Sequence, residues 1–309
     1  ILLSEPDTQG LKENSENRNL KKDEIPSQAA LRPQSKFKDK FENRFELSSN
    51  QKSLWYLWQL APDSFAYNFS VAGKVLNADN IHAWKRAFAI LLERYPLLNS
   101  CFPSINGQPQ HEILEETTLD FQVIDGTHWD ESQLSKQVLS THRVPFELEK
   151  GPLLRVRCFQ VRSEQTGENS LLLLMSMHHI VCDGWTLNLL LDELPILYAL
   201  GQARQSIALT PPQYSYRDFV SWQHQLLAGP QGEKHWHYWK DKLSGNLPKL
   251  QLPTDYSRPL IQSYKGDSFH FHLSAALTKQ LKALSLEKKV SLYTLLLTAY
   301  QILLHRYTV

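Results

Sequence analysis

Met177-His178-His179-Ile180-Val181-Cys182-Asp183-Gly184-Trp185 is the stretch from which the rest of the chain is read. Leu171 to Met177, behind the polar Glu168-Asn169-Ser170, is an apolar run of strand length, and Trp185 to Leu200 carries apolar residues at helical spacing. The nine residues therefore lead a buried strand through a short turn into a helix. Successive strand side chains point to opposite faces, so only one of His178 and His179 faces a given cavity. Two adjacent histidines followed by Asp-Gly in this setting point to acyl transfer onto a nucleophile.

Outward from that stretch, the chain reads as alternating helices and strands. Residues 1 to about 42 are rich in Glu, Lys, Asn, Ser and Gln and carry few aromatics, so they read as a flexible interdomain linker. Order is expected from Phe45-Glu46-Leu47, with Ser48 or Ser49 capping a helix that carries Leu54, Trp55, Leu57, Trp58 and Leu60. Tyr67 to Leu76 alternates as a strand, and Asn80 to Leu98 is a second helix by the recurrence of Ile81, Trp84, Phe88, Leu91 and Leu92. Asp120 to Ile124 and Leu153 to Val161 are strand candidates, with a helix over Glu131 to His142 between them. Further on, helices are expected from Tyr216 and over Trp236 to Leu243. Pro248, Pro253 and Pro259 then interrupt any helix, a strand is predicted at Ser268 to Leu273, and helices at Ala275 to Leu286 and Ser291 to Tyr307. Helices and strands without a regular βαβ beat favour an α/β class built as an α+β two-layer sandwich.

Composition narrows the partners. With 309 residues and a formal net charge of +1, the chain has neither a basic footprint for nucleic acid nor an acidic block. Leu292 to Leu304 is interrupted by Tyr and Thr and is shorter than the ~20 residues a membrane span needs, so no membrane role is expected. Cys101, Cys158 and Cys182 have neither metal-ligand spacing nor the even number of a disulfide framework, which points to a reducing cytoplasm. The start at Ile1 without a signal segment, and the end just after a helix in need of neighbours, predict a piece of something longer.

Several stretches occur together, in order. Leu47-Ser48-Ser49-Asn50-Gln51-Lys52-Ser53-Leu54-Trp55, Arg94-Tyr95-Pro96-Leu97-Leu98-Asn99-Ser100-Cys101-Phe102, residues 177–185, Tyr216-Arg217-Asp218-Phe219-Val220-Ser221-Trp222, and Leu252-Pro253-Thr254-Asp255 with Arg258-Pro259 resemble the successive motifs of condensation domains of nonribosomal peptide synthetases. The resemblance runs from about residue 45 to the last residue. It departs at Tyr95-Pro96 and Asn99, where the family usually has His-Glu or His-Pro and a later Arg.

The resemblance implies a chloramphenicol-acetyltransferase-like lobe over 43–225, carrying the His-His-x-x-x-Asp-Gly motif, and the beginning of a second similar lobe over 226–309, incomplete here. It implies no cofactor bound by the chain. Substrates arrive on the 4'-phosphopantetheine arms of donor and acceptor carrier proteins, and an aminoacyl amine attacks an acyl or peptidyl thioester to form an amide. Neighbouring adenylation or polyketide synthase domains are the implied partners, and Trp58-Gln59-Leu60-Ala61-Pro62 ahead of Tyr67-Asn68 resembles the subset found beside polyketide modules. Residues 1–309 alone are expected to be inactive.

The residues fit that chemistry. Thioester aminolysis needs a neutral amine at the carbonyl, a proton acceptor and stabilisation of the oxyanion. An imidazole, with an ordinary pKa of about 6.5, accepts a proton near neutrality. His179 is the candidate, either as base or as the group that orients the amine, with His178 turned away to support the loop. Gly184 is expected to permit close backbone approach and to offer its N–H to the oxyanion. Asp183 belongs at the helix start, where the dipole favours a carboxylate, and the family pattern pairs it with an Arg, for which Arg155 is chosen over Arg94. Arg155 and Trp185 complete the expected support of the site.

Other features are weighed and set aside. Gly266-Asp267-Ser268-Phe269 resembles part of a carrier attachment site, but strand alternation follows where a carrier needs a helix. The pairs His235/His237 and His270/His272 lack a third metal ligand, and Trp55, Trp58, Trp84 and Trp222 read as core. The alternatives are an acyl-CoA-dependent alcohol or amine acyltransferase with the same motif, and a non-catalytic condensation-like recruitment platform.

Overall fold

The computed structural model describes residues 43–75, 80–162, 169–203, 212–260, 262, 266 and 269–308; the linker expected over 1–42 lies outside them. They fall into two compact units that divide between Glu233 and Lys234.

In the first unit the order is β1 (Arg44–Phe45), α1 (Ser49–Leu60), β2 (Asn68–Val75), α2 (Ile81–Arg94), a 3-10 turn (Pro96–Asn99), then β3 (Ser100–Cys101), β4 (Ser104–Ile105), β5 (Gln108–Pro109), β6 (His111–Ile113), β7 (Asp120–Gly126), α3 (Glu131–His142), β8 (Leu154–Arg162), β9 (Asn169–His178), α4 (Gly184–Ala203), α5 (Tyr216–Ala228) and α6 (Pro230–Lys242). Side chains set most helix starts. Ser48 caps α1, Asp130 caps α3 and Ser215 caps α5, each in a reciprocal capping box with the residue three further on. Asn80 caps α2, whose Ala83, Trp84, Ala87, Phe88, Leu91 and Leu92 form one buried stripe. The helix predicted to reach Leu98 stops at Arg94. A residue ahead of proline is pushed out of the helical region, so Tyr95 leaves the helix at φ −121° and ψ 78°, and Pro96 opens a 3-10 turn instead.

The main sheet has the order β2-β9-β8-β7, antiparallel except for the parallel β7–β8 pair. β9 lies inside it, with Asn68 opposite His178 and Met177 between Phe69 and Leu154. Its alternation sorts the core. Leu171, Met175 and Met177 join the large cluster with α1, α2 and α4, while Leu172 and Leu174 join Val138 of α3, Phe159 and Val161. The observed architecture is thus a mixed α/β sheet with helices on both faces. Trp55, Trp58 and Trp84 are core, and Trp222 is half-buried.

In the second unit, the part of α6 after Glu233 is followed by an irregular stretch to Ser274, then α7 (Ala275–Glu287) and α8 (Leu292–Thr308), which contact each other. The strand predicted at Ser268 to Leu273 does not form over Phe269 to Leu273, and Ser268 lies outside the described residues. Among the described residues no strand runs beside this stretch, and a lone extended segment has no partner for its backbone N–H and C=O groups.

Candidate active site

The end of β9 separates the two histidines. His178 is 3% exposed, under the rings of Tyr67 and Phe146, at 6.3 and 6.4 Å between centroids. Its Nδ1 accepts the N–H of Ile180 at 3.1 Å, so the neutral ring carries its proton on Nε2. Its carbonyl accepts from the N–H of Val181 and the thiol of Cys182. Burial, with the neighbouring His179 adding to it, pushes the His178 imidazole down to about 4. The ring is therefore an uncharged acceptor that closes the turn. His179 is exposed; its N–H extends the β2 ladder to the carbonyl of Tyr67 at 2.9 Å, and its ring stands 5.8 Å from that of Phe69.

Asp183 starts α4. One carboxylate oxygen accepts both the N–H and the hydroxyl of Thr186, each at 2.8 Å. These bonds, the backbone one first, hold its carboxyl below the usual range. At Gly184 a Cβ would meet nothing within 4 Å, so there is open space beside its backbone.

Two expectations are corrected. Arg155 does not pair with Asp183: its Nε lies 3.5 Å from Asp120, its other nitrogens donate to the carbonyls of Val144 and Pro145, and its guanidinium lies 4.3 Å over the Phe146 ring. Alternation explains the difference. Leu154, Val156 and Cys158 face α1, α2 and α4, so Arg155 and Phe159 point to the other face, away from the helix that Asp183 caps. Arg155 therefore braces the Phe146 that covers His178. Trp185 is 78% exposed, so its indole is not packed against the motif; its backbone N–H faces the Asp183 carboxylate and helps to hold that carboxyl down. Arg94, the other Asp183 partner weighed, reaches Glu193 on α4 at 2.9 Å, and the Tyr95 hydroxyl donates to the same carboxylate at 2.7 Å.

Sequence reasoning passed over the side chains that hold this loop in place. Gln51 Nε2 donates to the carbonyl of Ile180 at 3.2 Å, Ser48 Oγ pairs with the Tyr216 hydroxyl at 2.9 Å, and Trp58 donates to the carbonyl of Phe146 at 3.1 Å. The motif-like stretches at 47–55 and 94–102 thus reach the loop and α4 behind it, and 216–222 is tied to the first of them through Ser48. The capping box over Ser48 and Gln51 was the available signal, since the cap uses only the carboxamide oxygen and leaves the buried N–H donors in need of another partner.

A cavity of about 520 Å³ lies behind the loop, lined by Val181, Thr186 and Leu190 with Leu98, Ile113 and Tyr216. Neither motif histidine borders it. Among the described residues no group of three or more His, Cys, Asp or Glu stands close enough to hold a metal, and no helix is long and apolar enough to cross a membrane. His235 and His237 lie on α6, and His270 and His272 are exposed. All three thiols are buried, and burial pushes each of them up, Cys182 to about 12.

A family profile described as Condensation domain matches residues 41–309, and the chain belongs to that family. It is 34% identical over 264 residues to bacitracin synthase 2 of Bacillus licheniformis, covering 85% of this chain and 10% of that protein. It is 31% identical over 268 residues to the polyketide synthase PksN of Bacillus subtilis (strain 168), covering 85% and 5%. The chain thus spans a small fraction of the curated relatives it matches. Among solved structures it resembles holo-AB3403, a four-domain nonribosomal peptide synthetase, with TM-score 0.69 and 25% identity over 86% of this chain and 20% of that one. The X-domain of teicoplanin biosynthesis shares the fold, with TM-score 0.75 at 21% identity over 86% of this chain and 58% of that one.

Proposed function

We propose that the chain is the part of a condensation domain that carries its reacting histidine, with residues 43–225 as the N-terminal lobe and 226–309 as the start of the next. The reaction joins the amine of a carrier-bound aminoacyl group to a carrier-bound acyl or peptidyl thioester. The nitrogen bonds to the carbonyl carbon, the C–S bond breaks, and the proton lost by the amine ends on the departing pantetheine sulfur. The observation that carries the proposal is the exposed His179 imidazole at the end of a buried strand, beside a capped helix start with open space at Gly184. His179 holds the amine at the carbonyl and passes on its proton; a positioned base of this kind contributes about 10² to 10⁴ in rate. The Gly184 N–H, at the N-terminus of α4, is the donor we assign to the oxyanion. Donor and acceptor carriers deliver both substrates on phosphopantetheine arms, and adenylation or polyketide synthase domains are the neighbours. A reducing cytoplasm suits the three buried thiols.

The test loads a donor acyl carrier and an acceptor aminoacyl carrier, adds the full-length protein that contains this chain, and follows the acceptor by intact-protein mass spectrometry. His179→Ala is expected to lower amide formation at least a hundredfold without changing thermal stability, because the side chain is exposed. Normal product formation by this variant would remove His179 from the chemistry. Turnover of a free acyl-CoA without any carrier would point to a CoA-dependent acyltransferase instead.

A further inference from the structure

Gln51 is the buried polar side chain of α1, 1% exposed, and both ends of its carboxamide are used. Oε1 accepts the N–H of Ser48 at 3.1 Å to close the capping box, and Nε2 donates to the carbonyl of Ile180 at 3.2 Å. The cap requires only an acceptor at this position, which a glutamate supplies as well as a glutamine. The second bond requires a donor, and it crosses from the first helix to the loop between His179 and Asp183. Ile180 is itself 3% exposed, so its carbonyl has little access to water as a substitute partner. The cap is in turn tied to α5, because Ser48 Oγ receives the Gln51 N–H and pairs with the Tyr216 hydroxyl.

We propose that Gln51 is a positioning residue for His179. Its amide holds the Ile180 carbonyl, and with it the loop that sets the imidazole beside Phe69 and the start of α4. Ile180 is then held from both sides, by Gln51 at its carbonyl and by His178 at its N–H. The activity readout of this inference rests on the condensation reaction proposed above.

Gln51→Glu separates the two duties of the side chain. The carboxylate still accepts the Ser48 N–H, but its other oxygen meets the Ile180 carbonyl, acceptor against acceptor. Burial raises the pKa of such a carboxyl, and once protonated its O–H donates to that carbonyl and restores the strut. His179 and Asp183 stand in both proteins, so whatever they contribute with pH cancels in the ratio to wild type, and the other two groups tied to the site lie outside pH 6 to 8.5. His178 titrates at about 4, and burial raises Tyr216 above its ordinary value of 10.0.

In the full-length protein, kcat of Gln51→Glu relative to wild type is expected to fall about tenfold or more at pH 8.5 and to recover towards parity at pH 6, with KM for the loaded carriers within about twofold throughout. Hydrogen–deuterium exchange of the amides of 180–184 is expected to be faster in the variant than in wild type at pH 8.5. Gln51→Met, similar in size but without a donor, is expected to lose kcat at both pH values. It also serves if the glutamate variant fails to fold. A kcat ratio for Gln51→Glu that is near one at pH 8.5, or wild-type kcat in Gln51→Met, overturns the inference. If the wild-type protein forms no amide with any carrier pair, the functional proposal falls, and exchange over 180–184 alone decides the strut: unchanged protection in both variants sinks it.

Discussion

Asp183 shows how one side chain of the motif acts through the backbone. Its carboxylate caps α4 through Thr186, and the loss of such a cap costs about 1 kcal/mol. Asp183→Ala is therefore expected to lower stability by about that amount in urea titrations at pH 7, whereas Asp183→Asn, which keeps an acceptor, stays close to wild type. Equal losses in the two variants would exclude the cap as the cause. Because the Asp183 carboxyl lies below its ordinary range in the fold, its contribution is complete above the unfolded pKa of about 3.9 and disappears as pH falls through the lower folded value. His178 and His179 were legible as a pair with opposite orientations, since strand alternation alone separates them. The partners of Asp183 were not legible, because alternation along β8 sends Arg155 to the face away from α4, and that face is known only once the sheet is assembled.

At the scale of elements, α2 and α4 pack closely enough for backbone to meet backbone. A Cβ on Gly201 of α4 would stand 2.8 Å from the carbonyl oxygen of Ala83 on α2. Gly201→Ala is expected to push the helices apart and to cost about 1–3 kcal/mol, seen as a fall of several degrees in the melting midpoint. Gly184→Ala is the contrast. With nothing within 4 Å of the new Cβ, its melting midpoint should match wild type while amide formation declines, because the added methyl occupies the space assigned to substrate. A melting midpoint for Gly201→Ala equal to wild type would mean that the helices separate freely. The long elements could be read from sequence because period and caps agree; Glu131 to His142 is helical over the predicted span. The short strands could not, since two or three residues carry no periodicity. The exception is the β4–β5 hairpin, whose Asn106-Gly107 turn has positive φ at both residues, 53° and 77°, a signal present in the sequence.

For the whole first unit, two buried imidazoles set its response to acid. His111 is 0% exposed between Phe45 and Phe102, its Nε2 is 2.8 Å from Ser100 Oγ, and burial pushes it down to about 3. His178 lies at about 4. Unfolded imidazoles take up protons near pH 6.5, while these two remain neutral in the fold. Stability is therefore complete above pH 6.5 and declines as pH falls towards 4, by an order of magnitude of about 2 kcal/mol per ring at pH 4.5. Melting midpoints at pH 7.5, 6 and 4.5 should fall accordingly, and His111→Gln should flatten the decline. An unaltered slope in that variant would assign the acid response elsewhere.

Local patterns were enough to identify the family and the mixed α/β class, the long helices and strands, a cap at Ser48 or Ser49, and the pair of histidines at the end of a buried strand. Each is written in residues a few positions apart, where period and capping chemistry act. Tertiary structure alone decided which side chains grip the loop after His179. Gln51 meets Ile180 across 129 positions and Ser48 meets Tyr216 across 168. It also decided that Arg155 braces Phe146 rather than Asp183, and that Phe269 to Leu273 pairs with no strand among the described residues. Contacts between distant segments depend on which faces the assembled sheet brings together, and no local period encodes that.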